Sequence, residues 1–152
     1  MKKFLVLFSL ILFCFCVSSA QKITTKKSLD LPKNLDTYLK KYPYPSDFIK
    51  HTPNLKKRLM ALLGKKYSLF DDNLNLQTPI EKEDNLLIAT GSMKYSQGYE
   101  ESMYIIDLNT MKIHIGLISK EFKEEYKIYS EDKENIPRQI QEWIDLRAER
   151  RS

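Results

Sequence analysis

The chain has 152 residues, 42% of them hydrophobic, with nine Tyr and seven Phe, enough apolar material for the core of one compact domain. Its formal charge is +5, but basic and acidic residues interleave, as in KKRLMALLGKK, EKED and KEFKEEYK, and no basic stripe is long enough to track a nucleic acid. Both cysteines, Cys14 and Cys16, fall in the first twenty residues, so the rest of the chain has no thiol nucleophile, no thiolate metal ligand and no disulfide.

Those twenty residues, MKKFLVLFSLILFCFCVSSA, read as a cleaved signal peptide. Lys2 and Lys3 form the basic start, Phe4 to Val17 are apolar except for Ser9, and Ser18-Ser19-Ala20 places small residues three and one positions before Gln21. The run is shorter than the ~20 residues that span a bilayer. Phe13 and Phe15 precede the two cysteines, where a lipid-attachment cysteine takes a small residue. The expectation is export to the periplasm or medium, with no membrane anchor after cleavage and a net charge of +3 once Lys2 and Lys3 are gone.

Residues 21–33 are polar and aperiodic and read as a flexible leader, and a single domain is expected over 34–147. Asn34 to Lys41 suits a short helix with Leu35, Tyr38 and Leu39 on one face, ended by Pro43 and Pro45. Ser46-Asp47 can start another turn carrying Phe48 and Ile49. Thr52 as cap and Pro53 at the first helical position predict a helix bearing Leu55, Leu59, Leu62 and Leu63, stopped by Gly64. Tyr67 and Phe70 continue that face in a kinked extension to about Leu74.

From Gln77 the period changes. Strands are predicted at 86–92, 102–108, 111–119 and 124–130, with a turn at Asn109-Thr110. In the third, Met111, Ile113, Ile115 and Leu117 point to the core, and Lys112, His114, Gly116 and Ile118 to the other side. A closing helix opens at Pro137 with Ile136, Ile140, Trp143 and Ile144 as its buried stripe, and residues 148–152 are expected to fray. The sum is an α+β fold: an antiparallel meander with N-terminal and C-terminal helices packed on one face of it.

Catalytic chemistry is sparse. Beyond the leader there are two histidines, His51 and His114, the first read as solvated and the second as a structural or exposed strand residue. No HExxH, CxxC, GxSxG or glycine-rich phosphate loop occurs. The pairs Asp71-Asp72 and Glu100-Glu101 are adjacent, and neighbours on a strand face opposite ways. DDNLN at 71–75 is too short and too apolar for a calcium loop. No catalytic residue, metal or cofactor is expected.

The segment between the first two long strands is different. Lys94, Tyr95, Ser96, Gln97, Gly98, Tyr99, Glu100 and Glu101 are too many for a tight hairpin, and tyrosine with small polar residues on a loop held by strands is good binding chemistry. These eight residues are the candidate partner-binding site. An alternative is a small-molecule or wall-fragment site in a cleft lined by Tyr67, Phe70, Tyr95 and Tyr126, and a third is hydrolysis by Glu100 or Glu101 beside His114.

The order LLIATG, the loop MKYSQGYEE, SMYIIDL, the turn Asn109-Thr110 and KIHIGLIS resembles the periplasmic inhibitors of vertebrate lysozyme (Ivy type), over roughly residues 53 to 130. That resemblance implies a non-enzymatic α+β domain whose protruding loop plugs the cleft of a lysozyme or another muramidase. The family's loop is the cysteine-bracketed CKPHDC; Lys94 to Tyr99 stand at that position here, with no cysteine or histidine. The plug would then come from Tyr95 or Tyr99 and an anion from Glu100 or Glu101. Animal lysozymes are typically basic, so a +3 partner gains no long-range steering toward them. Oligomeric state is not indicated.

Overall fold

The computed structural model describes residues 29–96 and 98–150. The predicted signal peptide and residues 21–28 lie outside the described residues. Four short helices come first, α1 (Leu35–Lys41), α2 (Pro45–His51), α3 (Leu55–Leu63) and α4 (Tyr67–Asp72), the last two joined by a single 3-10 turn at Gly64–Lys66. Strands β1 (Leu76–Gln77), β2 (Glu81–Glu83), β3 (Leu86–Ser92), β4 (Glu101–Asp107), β5 (Lys112–Ile118) and β6 (Tyr126–Ser130) follow, and α5 (Arg138–Glu149) closes the chain. Every strand pairing is antiparallel. β1 and β2 pair in succession with β3, and β3, β4, β5 and β6 follow in chain order across the sheet.

The helices pack where their apolar stripes dictate. α3 buries Leu55, Leu59 and Leu63, one every fourth residue. With Leu35, Phe48, Ile49 and Phe70 they meet one face of the sheet: Leu87, Ala89, Tyr104, Ile106, Ile113, Ile115 and Leu117. Leu31 is buried in this same core, and Asn54 Nδ2 donates to the Asp30 carbonyl at 2.9 Å, so packing begins within the stretch read as leader.

The expectation that all helices share one face is corrected. α5 lies on the opposite face, where Ile140, Trp143 and Ile144 pack with Met103, Ile105 and Ile118. Gly116 makes this fit. An added Cβ there would stand 3.1 Å from Trp143 Cζ3 and 3.3 Å from Ile140 Cγ2, so the missing side chain is the slot the helix occupies. The parity read for β5 is right, but both of its faces are buried and the sheet is the middle of three layers.

Two helix starts also differ from expectation. α3 begins at Leu55, not Pro53: Asn54 adopts a left-handed φ of 63°, and the buried hydroxyl of Thr52 makes no capping bond. Asparagine tolerates that backbone, and its bond to Asp30 holds it there. Ile136, expected in the α5 stripe, is 39% exposed ahead of the helix.

Candidate functional site

The β3–β4 connection is built from two consecutive turns on a fixed base. Met93 N–H donates to the Glu100 carbonyl at 2.9 Å, closing the base where the β3–β4 ladder ends at the Ser92–Glu101 pair. Ser96 N–H then donates to Met93 O at 3.2 Å, and Tyr99 N–H to Ser96 O at 3.1 Å. Each turn has a positive φ at its third residue, 64° at Tyr95 and 83° at Gly98. Glycine adopts this conformation at no steric cost; tyrosine does so against a penalty of roughly 1–2 kcal/mol. The first turn thus holds its tyrosine in strain and lifts it outward: Tyr95 is 87% exposed, more than any other large hydrophobic residue among those described.

The eight candidate residues separate into a tip and a base. Lys94 and Tyr95 form the tip, with the Lys94 ammonium 4.9 Å from the centre of the Tyr95 ring. Ser96 and Tyr99 are half-buried beneath it. Gln97 lies outside the described residues. Glu100 is half-buried, and its Oε1 accepts from Lys120 N–H at 3.3 Å. Glu101 is the first residue of β4, and its Oε2 accepts from Arg147 Nε of α5 at 3.0 Å. The two adjacent acids therefore diverge, one to the β5–β6 turn and one to the closing helix. A recess of about 420 Å³ lies beneath the tip, lined by Met93, Ser96, Tyr99, Glu100 and Lys120.

Two partners of the loop carry no local signal in the sequence. Lys120 and Arg147 are ordinary cations in a chain with 25 Lys and Arg, and the sheet brings them to the loop from twenty or more residues away. Leu76 is the third neighbour. It pairs with Ser92 at the sheet edge and is 52% exposed, leaving an apolar shoulder beside the loop.

The other sequence readings meet the geometry differently. His114 is buried on the α5 face, with Nδ1 2.8 Å from Ser130 Oγ. It pairs across the ladder with Ile105, four residues along β4 from Glu101, which puts the backbone positions of His114 and Glu101 roughly 13 Å apart along the strand, with Glu100 one residue further still. That separation removes the proposed acid–histidine hydrolytic site. The four-aromatic cleft is removed as well: Phe70 and Tyr67 pack on the face carrying the N-terminal helices, Tyr126 on the α5 face, and Tyr95 projects from the loop. His51 is exposed, but its ring stacks on Tyr42 with centroids 4.0 Å apart.

A larger cleft of about 630 Å³ opens at the opposite end of the sheet, between Leu31, Arg58, Leu62, Met111 and Glu131. Two of its charged residues pair with each other: Arg58 Nε donates to Glu131 Oε1 at 2.9 Å, and Arg58 Nη2 to the Met111 carbonyl at 2.7 Å. Among the described residues no cluster of His, Cys, Asp and Glu could hold a metal ion, and no helix is long and apolar enough to cross a membrane.

Compared with curated proteins and with solved structures, the chain finds no significant match in either. The family profile described as inhibitor of vertebrate lysozyme (Ivy) matches residues 54–150, from the turn before α3 to the end of α5, and so takes in the whole sheet, the loop and both of its distant partners. That match covers well over half of the 152 residues, and the chain belongs to the Ivy family of lysozyme inhibitors.

Proposed function

We propose that this protein acts outside the cytoplasm as an inhibitor of a lysozyme or a related muramidase, and that the β3–β4 loop does so by entering the enzyme's cleft. The family match supports the kind of partner. The observation that carries the mechanism is Tyr95, a large aromatic side chain 87% exposed on a backbone with φ of 64°. A strained, exposed aromatic on a base hydrogen-bonded to rigid strands is what a plug requires: a broad contact surface that loses little entropy on binding. Lys94 and Tyr99 line the insertion, and Leu76 forms an apolar rim beside it.

The test is cell-wall lysis by lysozymes with and without the purified protein. Slowed lysis and a complex on size-exclusion chromatography are expected. Full-rate lysis at micromolar excess, with no complex, would remove the lysozyme reading. The substitution Tyr95→Gly separates binding from folding. Glycine relieves the positive φ but is more flexible unfolded, so stability should stay level or rise by up to about 1 kcal/mol while protection is lost. Protection that survives Tyr95→Gly would clear the loop of the inhibitory role.

A further inference from the structure

We infer that Lys120, on the β5–β6 turn, is a positioning residue that clasps the β3–β4 loop in its binding-ready shape. The inference rests on the reading of that loop as the inhibitory element. The contact is made twice by one residue. The Lys120 ammonium lies 3.7 Å from the centre of the Tyr99 ring, the closest cation–ring approach among the described residues, and the Lys120 backbone N–H donates to Glu100 Oε1 at 3.3 Å. Tyr99 and Glu100 are the last two residues of the loop, the stretch that returns from the second turn to the base. A clasp there fixes the return strand, and through the Met93–Glu100 bond it fixes the tip that carries Tyr95.

The turn that bears Lys120 is itself anchored. Ser119 N–H donates to the Glu125 carbonyl at 2.9 Å, and Glu121 N–H to Ser119 Oγ at 3.1 Å. Glu121 forms an ion pair with Lys66 of the 3-10 turn, and Phe122 packs against the core on the side of the N-terminal helices, with Lys66 5.2 Å from its ring centre. Lys120 therefore reaches the loop from a fixed platform, and the platform is tied to a different layer of the molecule from the loop. Glu101, next to the clasp, is held from the other side of the sheet by Arg147. The loop base is gripped from both faces, and of these two grips the Lys120 one lies beyond the ladder.

Hydrogen–deuterium exchange on the full purified protein tests this without any enzyme. In Lys120→Met the amides of residues 94–99 should exchange about two- to fivefold faster, the change expected from losing one exposed cation–π contact. Amides of β4 from Tyr104 to Ile106 should be unchanged, which shows that the fold is kept. Lys120→Arg should restore slow exchange, since a guanidinium also sits on an aromatic face. Tyr99→Leu should loosen the loop by a similar factor, and the double variant should add nothing. Loop exchange in Lys120→Met equal to wild type, or additive effects in the double variant, would overturn the clasp. With a lysozyme that the wild type binds, Lys120→Met should raise the dissociation rate by a similar factor and leave the association rate nearly unchanged. A loosened loop in a protein that binds no lysozyme would uphold the clasp and reject the assigned target.

Discussion

His114 shows how a titratable side chain can be built into the interior of the fold. It is 1% exposed, and burial pulls its pKa below the ordinary 6.5 while Asp107, Asp132 and Glu131 act weakly in the opposite direction. A base whose pKa is depressed by folding binds its proton more readily in the unfolded chain. Stability should therefore fall as pH drops below about 6.5 and level off below the folded pKa, with a slope no steeper than about 1.4 kcal/mol per pH unit. Urea unfolding at about pH 7.5 and about pH 5.5 should show wild type losing more stability than His114→Gln, which keeps a polar group for Ser130. Equal losses in the two proteins would mean that the histidine protonates without cost. Arg58 and Glu131, 13% and 19% exposed, are a second residue-scale test. The carboxylate also accepts from Ile113 N–H at 2.9 Å, so one pair joins α3, β5 and the end of β6. Arg58→Met should cost about 2 kcal/mol, less than breaking a fully buried pair, because water reaches both groups in part. The double variant with Glu131→Gln should recover part of that loss. A denaturation midpoint unmoved by Arg58→Met would show the pair to be incidental.

Close approach between elements depends on two glycines of the sheet. At Gly116 an added Cβ meets the ends of Trp143 and Ile140, side chains that can shift, so Gly116→Ala should cost about 1–3 kcal/mol. At Gly91 the same atom would lie 2.5 Å from the Asn73 carbonyl oxygen and 3.0 Å from Leu74 Cα, backbone that cannot step aside. Gly91→Ala should therefore destabilise more than Gly116→Ala, and the reverse order in urea midpoints would contradict this packing. Gly116 also bears on what was legible in the chain. The strand at 86–92 was readable to the residue, and those at 102–108 and 111–119 to within one: the first two are short apolar, β-prone runs, and the third alternates strongly. β1 and β2 were not, since a two-residue strand and the fully exposed Glu81–Glu83 carry no hydrophobic period. The second helical layer was missed because Gly116 and His114 make the outer face of β5 look half-polar, although a glycine is what admits a tryptophan from across the sheet. At the loop, composition picked out Tyr95 and its neighbours. Lys120 and Arg147 became visible only once the ladder had brought distant segments together.

At the scale of the whole molecule, charge sets how the protein should meet its partner. The net charge is positive with or without the first twenty residues, +5 or +3, and animal lysozymes are typically basic. Long-range attraction is absent from such a pair, and the acids nearest the tip do not supply it locally. Glu101 is paired with Arg147 and Glu121 with Lys66; Glu100 keeps its charge, since the Lys120 N–H it accepts from is an uncharged amide, but it is half-buried below the tip, and the exposed charge beside the Tyr95 ring is Lys94. If the proposed plug is the mechanism, affinity should come from a slow dissociation rate, through a rigid aromatic contact, and not from electrostatic capture. The association rate should then stay near the unsteered ~10⁵–10⁶ M⁻¹s⁻¹ and rise slightly between about 20 and about 300 mM salt, as screening shortens the range of the repulsion. Stopped-flow or surface-based kinetics at several ionic strengths would measure it. An association rate falling steeply with salt would mean that carboxylates, freed from their partners as the complex forms, lead the encounter. The clasp would in that case open on binding.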